Sequence, residues 1–76
     1  MKKIKMGDYV LVAGEADEVF QVTKVIDNSV VLSTGVVESK IKCTLIPKKF
    51  YNKLYTVSTM HIDSASFLQI RKEDGE

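Results

Sequence analysis

Few residues in this 76-residue chain could carry out chemistry. Cys43 and His61 are each the only residue of their type, and Asp63 follows His61 by two positions. Residues two apart on a strand share a face, so one interpretation is a His61–Asp63 contact, and the other is a polar pair beside a turn. A nucleophilic site would also need the thiol of Cys43 next to that pair. With one copy of each group, the sequence predicts no enzyme.

The sequence also predicts no cofactor and no bound metal. A metal site needs three or four His, Cys or carboxylate ligands at suitable spacing, and the sequence contains no such cluster. Cys43 alternates with Val37, Ile41 and Leu45, which favours a small residue of the core. The glycines are too scattered to form a loop that cradles phosphate. They are Gly7, Gly14, Gly35 and Gly75.

The candidate binding residues are lysines that alternate with aromatic side chains. Lysines contact phosphates and release counterions, and exposed rings stack on unpaired bases, so the pattern suits single-stranded RNA or DNA. A purely structural interpretation is also open, in which the lysines are the solvated face of a half-buried strand and Phe50 closes one end of a barrel. The set comprises Lys40, Lys42, Lys48, Lys49, Phe50, Tyr51 and Lys53.

The charges are unevenly distributed although the formal net charge is only +1. Residues 1–72 hold eleven basic and seven acidic residues, a formal charge of +4. This is weaker than the basic character typical of nucleic-acid-binding domains. The acidic loop 15–18 opposes phosphate binding at its end of the molecule and suits a basic protein partner. Tyr9, Tyr51 and Tyr55 could line a groove for a peptide or a methylated side chain, or Tyr9 and Tyr55 could belong to the core.

Size and composition predict one small soluble domain. A chain this short cannot support a second core, so residues 1–72 are expected to form the domain and residues 73–76 a frayed acidic tail. A single cysteine excludes an intramolecular disulfide and favours a reducing compartment. No apolar run approaches the roughly 20 residues that cross a bilayer, and no signal-peptide core is visible. We therefore expect a cytoplasmic protein that does not bind membranes.

The dominant period of the apolar pattern is two, which predicts strands. Lys24 interrupts one face of its strand and predicts a bulge. Residues 27–29 predict a tight turn, Pro47 ends a strand, and residues 48–53 predict a helical turn or loop. The expected strands cover residues 9–12, 19–26, 30–32, 37–45, 54–62 and 66–72. The fold class is therefore all-β, a small antiparallel barrel of five to six short strands.

Within residues 37–45, the alternation predicts a single strand with Val37, Ser39, Ile41, Cys43 and Leu45 facing inward. A small sheet left open exposes unpaired strand edges, which barrel closure removes and which otherwise permit self-association.

The run Gly7-Asp8-x-Val10-x-Val12, followed by Gly14, resembles the opening of the KOW family, whose fold is the SH3-like barrel shared with Tudor domains. The resemblance covers residues 5–47 and implies a variable loop, a strand and a hairpin after the first strand. Gly7 would permit unusual backbone angles at strand entry, and Asp8 would bond nearby amides. KOW sequences carry further glycines where this chain has residues 17–20, so the family's RNA-binding and ribosome-binding roles are not carried over. The layout is also similar to short reading frames of bacteriophages and integrated elements.

Together these features predict a non-catalytic binding module that interacts with another protein. The alternative is single-stranded nucleic-acid binding through residues 40–53. Self-association through edge strands is a further expectation.

Overall fold

The computed structural model describes residues 3–15, 18–56 and 60–74. In this part of the chain there are seven short strands, two 3-10 helices (η1 and η2) and one α-helix. The elements are β1 (Tyr9–Val12), β2 (Val19–Ile26), β3 (Ser29–Leu32), β4 (Val37–Ser39), η1 (Lys40–Lys42), β5 (Cys43–Leu45), η2 (Lys48–Lys53), β6 (Leu54–Thr56), β7 (Met60–Ile62) and α1 (Ser64–Asp74). No helix among these residues has the length and apolar character that a bilayer crossing requires.

Five strands form one antiparallel sheet in the order β4-β3-β2-β1-β5. Strand β5, the last of the five along the sequence, therefore pairs with β1, the first. Strands β4 and β5 form the two edges of the sheet. Strands β6 and β7 form a separate hairpin, and an isolated bridge between Glu18 and His61 joins it to the residue before β2. The predicted antiparallel β architecture is confirmed at this level. No closed barrel is present among the described residues, since the sheet ends at β4 and β5.

Strand β2 and its turn follow the local signals of the sequence. The register between β2 and β3 shifts between Val22 and Lys24, which confirms the predicted bulge. Asp27 has a φ of 50°, the left-handed conformation expected of its turn. At the entry to β1, Gly7 has a φ of 94°, and a carboxylate oxygen of Asp8 accepts the amide of Lys5 at 2.9 Å. Both residues act locally on the backbone, as the motif implied.

Buried side chains lie on both faces of the sheet because β1 contributes to each. Leu11 belongs to a first core, with Phe50 from η2 and Ile70 from α1. Val10 and Val12 point the other way into a second core. The first core also contains Val19, Ile46 and Ile62, and the second also contains Val22, Val30 and Leu32.

The single strand predicted for residues 37–45 is wrong. The chain forms β4, then η1, then β5, so the 3-10 turn moves it from one edge of the sheet to the other. The alternation of faces breaks at this turn. Ile41, predicted to point inward, is 92% exposed, whereas Thr44, predicted to point outward, is buried.

The predicted strands at 54–62 and 66–72 also differ from the structure. The first is a hairpin of β6 and β7, with residues 57–59 outside the described part of the chain. The second is helix α1, in which Ser66 and Ile70 are buried one turn apart. Helix α1 runs to Asp74, and the rest of the predicted tail, residues 75–76, lies outside the described residues.

Asp63 begins helix α1. Its Oδ1 accepts the amide of Ser66 at 2.9 Å, and its Oδ2 accepts the Ser66 hydroxyl at 3.2 Å. This is the geometry of an N-cap, which satisfies an amide that the first helical turn leaves unpaired. The backbone hydrogen bond from Ser66 lowers the pKa of Asp63, its hydroxyl bond acts in the same direction, and the positive charge of Lys53 adds to the effect.

We expect Asp63→Ala to lower the melting temperature by about 5 °C at neutral pH, because the variant loses the cap. A lowered pKa means that the stabilisation is present above the ordinary carboxyl pKa and is lost as pH falls through the folded-state value. Thermal unfolding followed by circular dichroism from neutral to acidic pH should therefore show the two proteins converging in acid. Asp63→Asn is the control, because asparagine caps well without titrating. A constant difference between wild type and Asp63→Ala across this range would contradict the assignment.

Candidate functional site

Cys43, His61 and Asp63 each make a structural contact of their own. The carboxylate of Asp63 is engaged by the helix cap, and the His61 ring stacks on Tyr55 with centroids 5.6 Å apart. The thiol of Cys43 donates to the carbonyl of Ser39 at 3.4 Å. Burial raises the pKa of Cys43, and the nearby Glu38 charge acts in the same direction, so the thiol form is favoured over the nucleophilic thiolate. Among the described residues, no three His, Cys, Asp or Glu side chains are grouped to hold a metal ion.

The predicted lysine and aromatic set is divided between two places. Helix η1, with Lys40 and Lys42, precedes β5, and helix η2, with Lys48, Lys49 and Lys53, follows it. Strand β5 and the two residues after it separate the helices by about 15 Å of extended chain. The lysines therefore form two small groups at opposite ends of β5.

The two aromatic members of the set pack against the protein. Phe50 is 6% exposed within the first core, so its ring cannot stack on a base, and it is removed from the candidate binding residues. Tyr51 is half-buried and meets the Tyr9 ring edge-on, with centroids 5.1 Å apart and planes at 90°. Burial raises the pKa of Tyr51. The ammonium of Lys49 lies 5.2 Å from the centre of the Phe50 ring, which ties this lysine to the core.

The Tyr55–His61 stack is an aromatic surface that the sequence did not predict. The two residues are cross-strand partners in the β6–β7 hairpin, their planes differ by 21°, and Tyr55 is exposed. Predicting residues 54–62 as one strand hid this pairing, because partners across a hairpin become neighbours only when the chain turns.

An acidic groove lies between the β1–β2 connection and the β3–β4 turn. Its volume is about 280 Å³. Glu15 and Glu18 come from the connection, and Glu38 comes from β4. The remaining lining residues are Val12, Phe20, Leu32, Thr34 and Val36, all apolar except Thr34. The groove thus combines apolar walls with three carboxylates.

Glu18 and Glu38 lie close enough to Glu15 to change the pKa of its carboxyl group. A side-chain hydrogen bond with Glu18 raises the pKa of Glu15, and repulsion from the charges of Glu18 and Glu38 raises it further. Like charges that share a site disfavour ionisation, and a cation placed among them reverses that effect. A positively charged group therefore complements this groove.

A neutral groove of about 270 Å³ adjoins the acidic groove. The two share Phe20 and Thr34 as lining residues, and the neutral groove has no charged side chain among its described lining residues. It is completed by Tyr9, Val19, Gln21, Ser33 and Met60.

The acidic groove matches the chemistry of a lysine or arginine side chain. Lysine and arginine side chains pack their aliphatic stems on apolar surface while their charged ends bind carboxylates or other anions. The sequence marked residues 15–18 as suited to a basic partner, but it did not select Glu38. No feature of the sequence near Glu38 distinguishes it, because it joins Glu15 and Glu18 only in the folded protein.

No family model, no curated protein and no solved structure matches this chain. The likeness of residues 5–47 to KOW barrels therefore depends on those residues alone.

Proposed function

We propose that the chain is a non-catalytic binding module that recognises a basic segment of a partner protein in the acidic groove. The observation that supports this best is the convergence of Glu15, Glu18 and Glu38 on a slot with apolar walls. The raised pKa of Glu15 supports it further. Its causes are the side-chain hydrogen bond with Glu18 and the charges of Glu18 and Glu38, and a bound cation offsets the repulsion from those charges.

We also propose that the five-stranded sheet belongs to an SH3-like barrel of the KOW and Tudor type. The pairing of β5 with β1 supports this, since these are the last and the first strands of the sheet along the sequence. Helix η1 spans the short gap between edges β4 and β5, and the Cys43 amide donates to the Lys40 carbonyl while its thiol donates to Ser39. In such a curved sheet, the connections after β1 and β3 meet at one rim, where the acidic groove lies.

The proposal is tested with labelled synthetic peptides of one length that differ only in a central Lys, Arg or Gln. By fluorescence anisotropy, we expect the Lys and Arg peptides to bind about fivefold more tightly than the Gln peptide, the effect of one partly solvated ion pair. The preference should diminish in Glu15→Gln and in Glu38→Gln. It should also weaken as pH falls through the raised pKa of Glu15, because a protonated carboxyl cannot pair with a cation.

Asp27→Asn is the matched control, because it removes one exposed carboxylate that does not line the acidic groove and asparagine tolerates the left-handed conformation. This variant should keep the full preference for basic peptides. Equal affinity for the Lys and Gln peptides, or equal losses in Asp27→Asn and Glu38→Gln, would contradict the proposal.

Single-stranded nucleic-acid binding is the alternative, and the same titration includes a single-stranded oligonucleotide as a second probe. The exposed side chains of Lys42 in η1 and of the three lysines in η2, together with the exposed ring of Tyr55, favour it. The separation of those lysines and the burial of Phe50 favour the peptide. Binding that weakens steeply with salt, and that the double change Lys48→Glu with Lys53→Glu abolishes, would favour the nucleic acid.

A further inference from the structure

The apolar residues that line the neutral groove are its more buried ones. Val19 is buried, and Tyr9 and Met60 are half-buried. Gln21 is exposed, and its side-chain amide donates to the Gly7 carbonyl at 3.3 Å, so this polar group already has a partner. A charged side chain placed here would lose water without gaining an ion pair among the described lining residues, whereas an apolar side chain would gain buried contact.

The size of the neutral groove suits one side chain. Its volume of about 270 Å³ lies just below the roughly 300–1,000 Å³ typical of pockets that enclose a whole small molecule. Met60 lines the groove, and the unbranched thioether of methionine adapts to apolar partners of different shape. A side chain of leucine or methionine size therefore fits this groove better than a whole small molecule does.

A tight turn lies between the two grooves. Thr34 lines both of them, and hydrogen bonds hold the backbone on either side of it. The Ser33 amide donates to the Gln21 carbonyl at 2.8 Å, and the Gly35 amide donates to the Leu32 carbonyl at 2.8 Å. Gly35 has a φ of 89°, a conformation that glycine adopts without strain. The turn thus holds the acidic groove and the neutral groove next to each other.

A partner segment that occupies the acidic groove passes beside the neutral groove, because the two grooves share lining residues. In an extended chain, residues one or two positions from the basic residue lie within about 7 Å of it. We propose that the neutral groove holds an apolar side chain of the same segment, one or two positions from the basic side chain in the acidic groove. This inference rests on the proposed function, because the acidic groove selects the segment.

The test uses labelled peptides with a central Lys or Gln, in which Leu or Ser stands at each of the two positions on either side in turn. By fluorescence anisotropy, we expect Leu at one of these four positions to tighten binding of the Lys peptide about fivefold relative to Ser. This is the effect of burying part of one apolar side chain. The gain should be lost when Leu is moved six positions away from the Lys.

Met60→Ala should reduce the gain from Leu to less than about twofold, because it removes part of the apolar lining. It should keep the preference for Lys over Gln, since Met60 does not line the acidic groove. Met6→Ala is the matched control, because it makes the same change at a methionine that is 72% exposed and lines neither groove. Gln21→Glu is a second variant, at an exposed position, and its added charge should also reduce the gain from Leu.

Circular dichroism shows whether each variant is folded. A preference for Lys over Gln with no gain from Leu at any of the four positions would overturn this inference and leave the proposed function standing. Equal affinity for the Lys and Gln peptides would contradict both. Gains from Leu in the folded variants that equal the gain in Met6→Ala would overturn the inference. So would self-association that Met60→Ala weakens in sedimentation velocity, because a second copy of the chain would then be the occupant.

Discussion

Replacing Phe50 with alanine is expected to destabilise the protein by about 3–5 kcal/mol, the usual range for removing a buried aromatic side chain. Phe50 is 6% exposed and packs in the first core, where η2 lies over the sheet. A domain of this size has a total stability of about 5–10 kcal/mol, so the variant should be close to unfolding at room temperature. Urea denaturation followed by circular dichroism measures the change.

Ile41→Ala is the matched control, since it truncates an apolar side chain of the other 3-10 helix that is 92% exposed. It should change the stability by less than about 0.5 kcal/mol. Phe50→Leu keeps most of the buried volume and should remain folded, so it can be assayed for binding. If Phe50→Leu abolished oligonucleotide binding while remaining folded, the core assignment of this ring would be contradicted.

The sequence was informative where local chemistry determines the structure. The bulge at Lys24, the turn at Asp27 and the helical turn at 48–53 were all predicted from residues within a few positions. The left-handed conformation of Asp27 is a property of that residue type and its neighbours. Such features need no knowledge of the rest of the fold.

The predictions of secondary structure failed where tertiary packing determines the conformation of the chain. Residues 40–42 alternate lysine and isoleucine, a pattern that fits a strand and also fits an exposed turn, so period alone could not distinguish them. Residues 40–42 form a turn because the chain must cross from β4 to β5, and only the topology of the sheet contains that information.

The candidate site shows the same limit. Glu15 and Glu18 belong to an acidic loop that the sequence associates with a basic partner, whereas Glu38 lies 20 residues after Glu18. It joins them because β4 is placed by the fold so that all three carboxylates line one groove. A groove assembled from four strands and their connections has no signature in any single segment.

Replacing Ile70 with alanine is the second change with a large expected effect, a loss of about 2–5 kcal/mol. Ile70 is 1% exposed in the first core and fixes helix α1 to the sheet. The guanidinium of Arg71 adds a hydrogen bond of 2.7 Å to the hydroxyl of Thr44 on β5, and it lies over the Phe67 ring at 5.4 Å. Helix α1 is therefore an integral part of the domain, and detachment of this helix from the sheet should expose the first core.

Leu68→Ala makes this prediction specific to a helix. Leu68 is 64% exposed although it lies only two residues from Ile70. On a strand, residues two apart share a face and both changes would be costly, whereas on a helix they point about 160° apart. We expect Leu68→Ala to change the urea midpoint very little and Ile70→Ala to lower it strongly. Equal losses would support a strand at 66–72 and contradict α1.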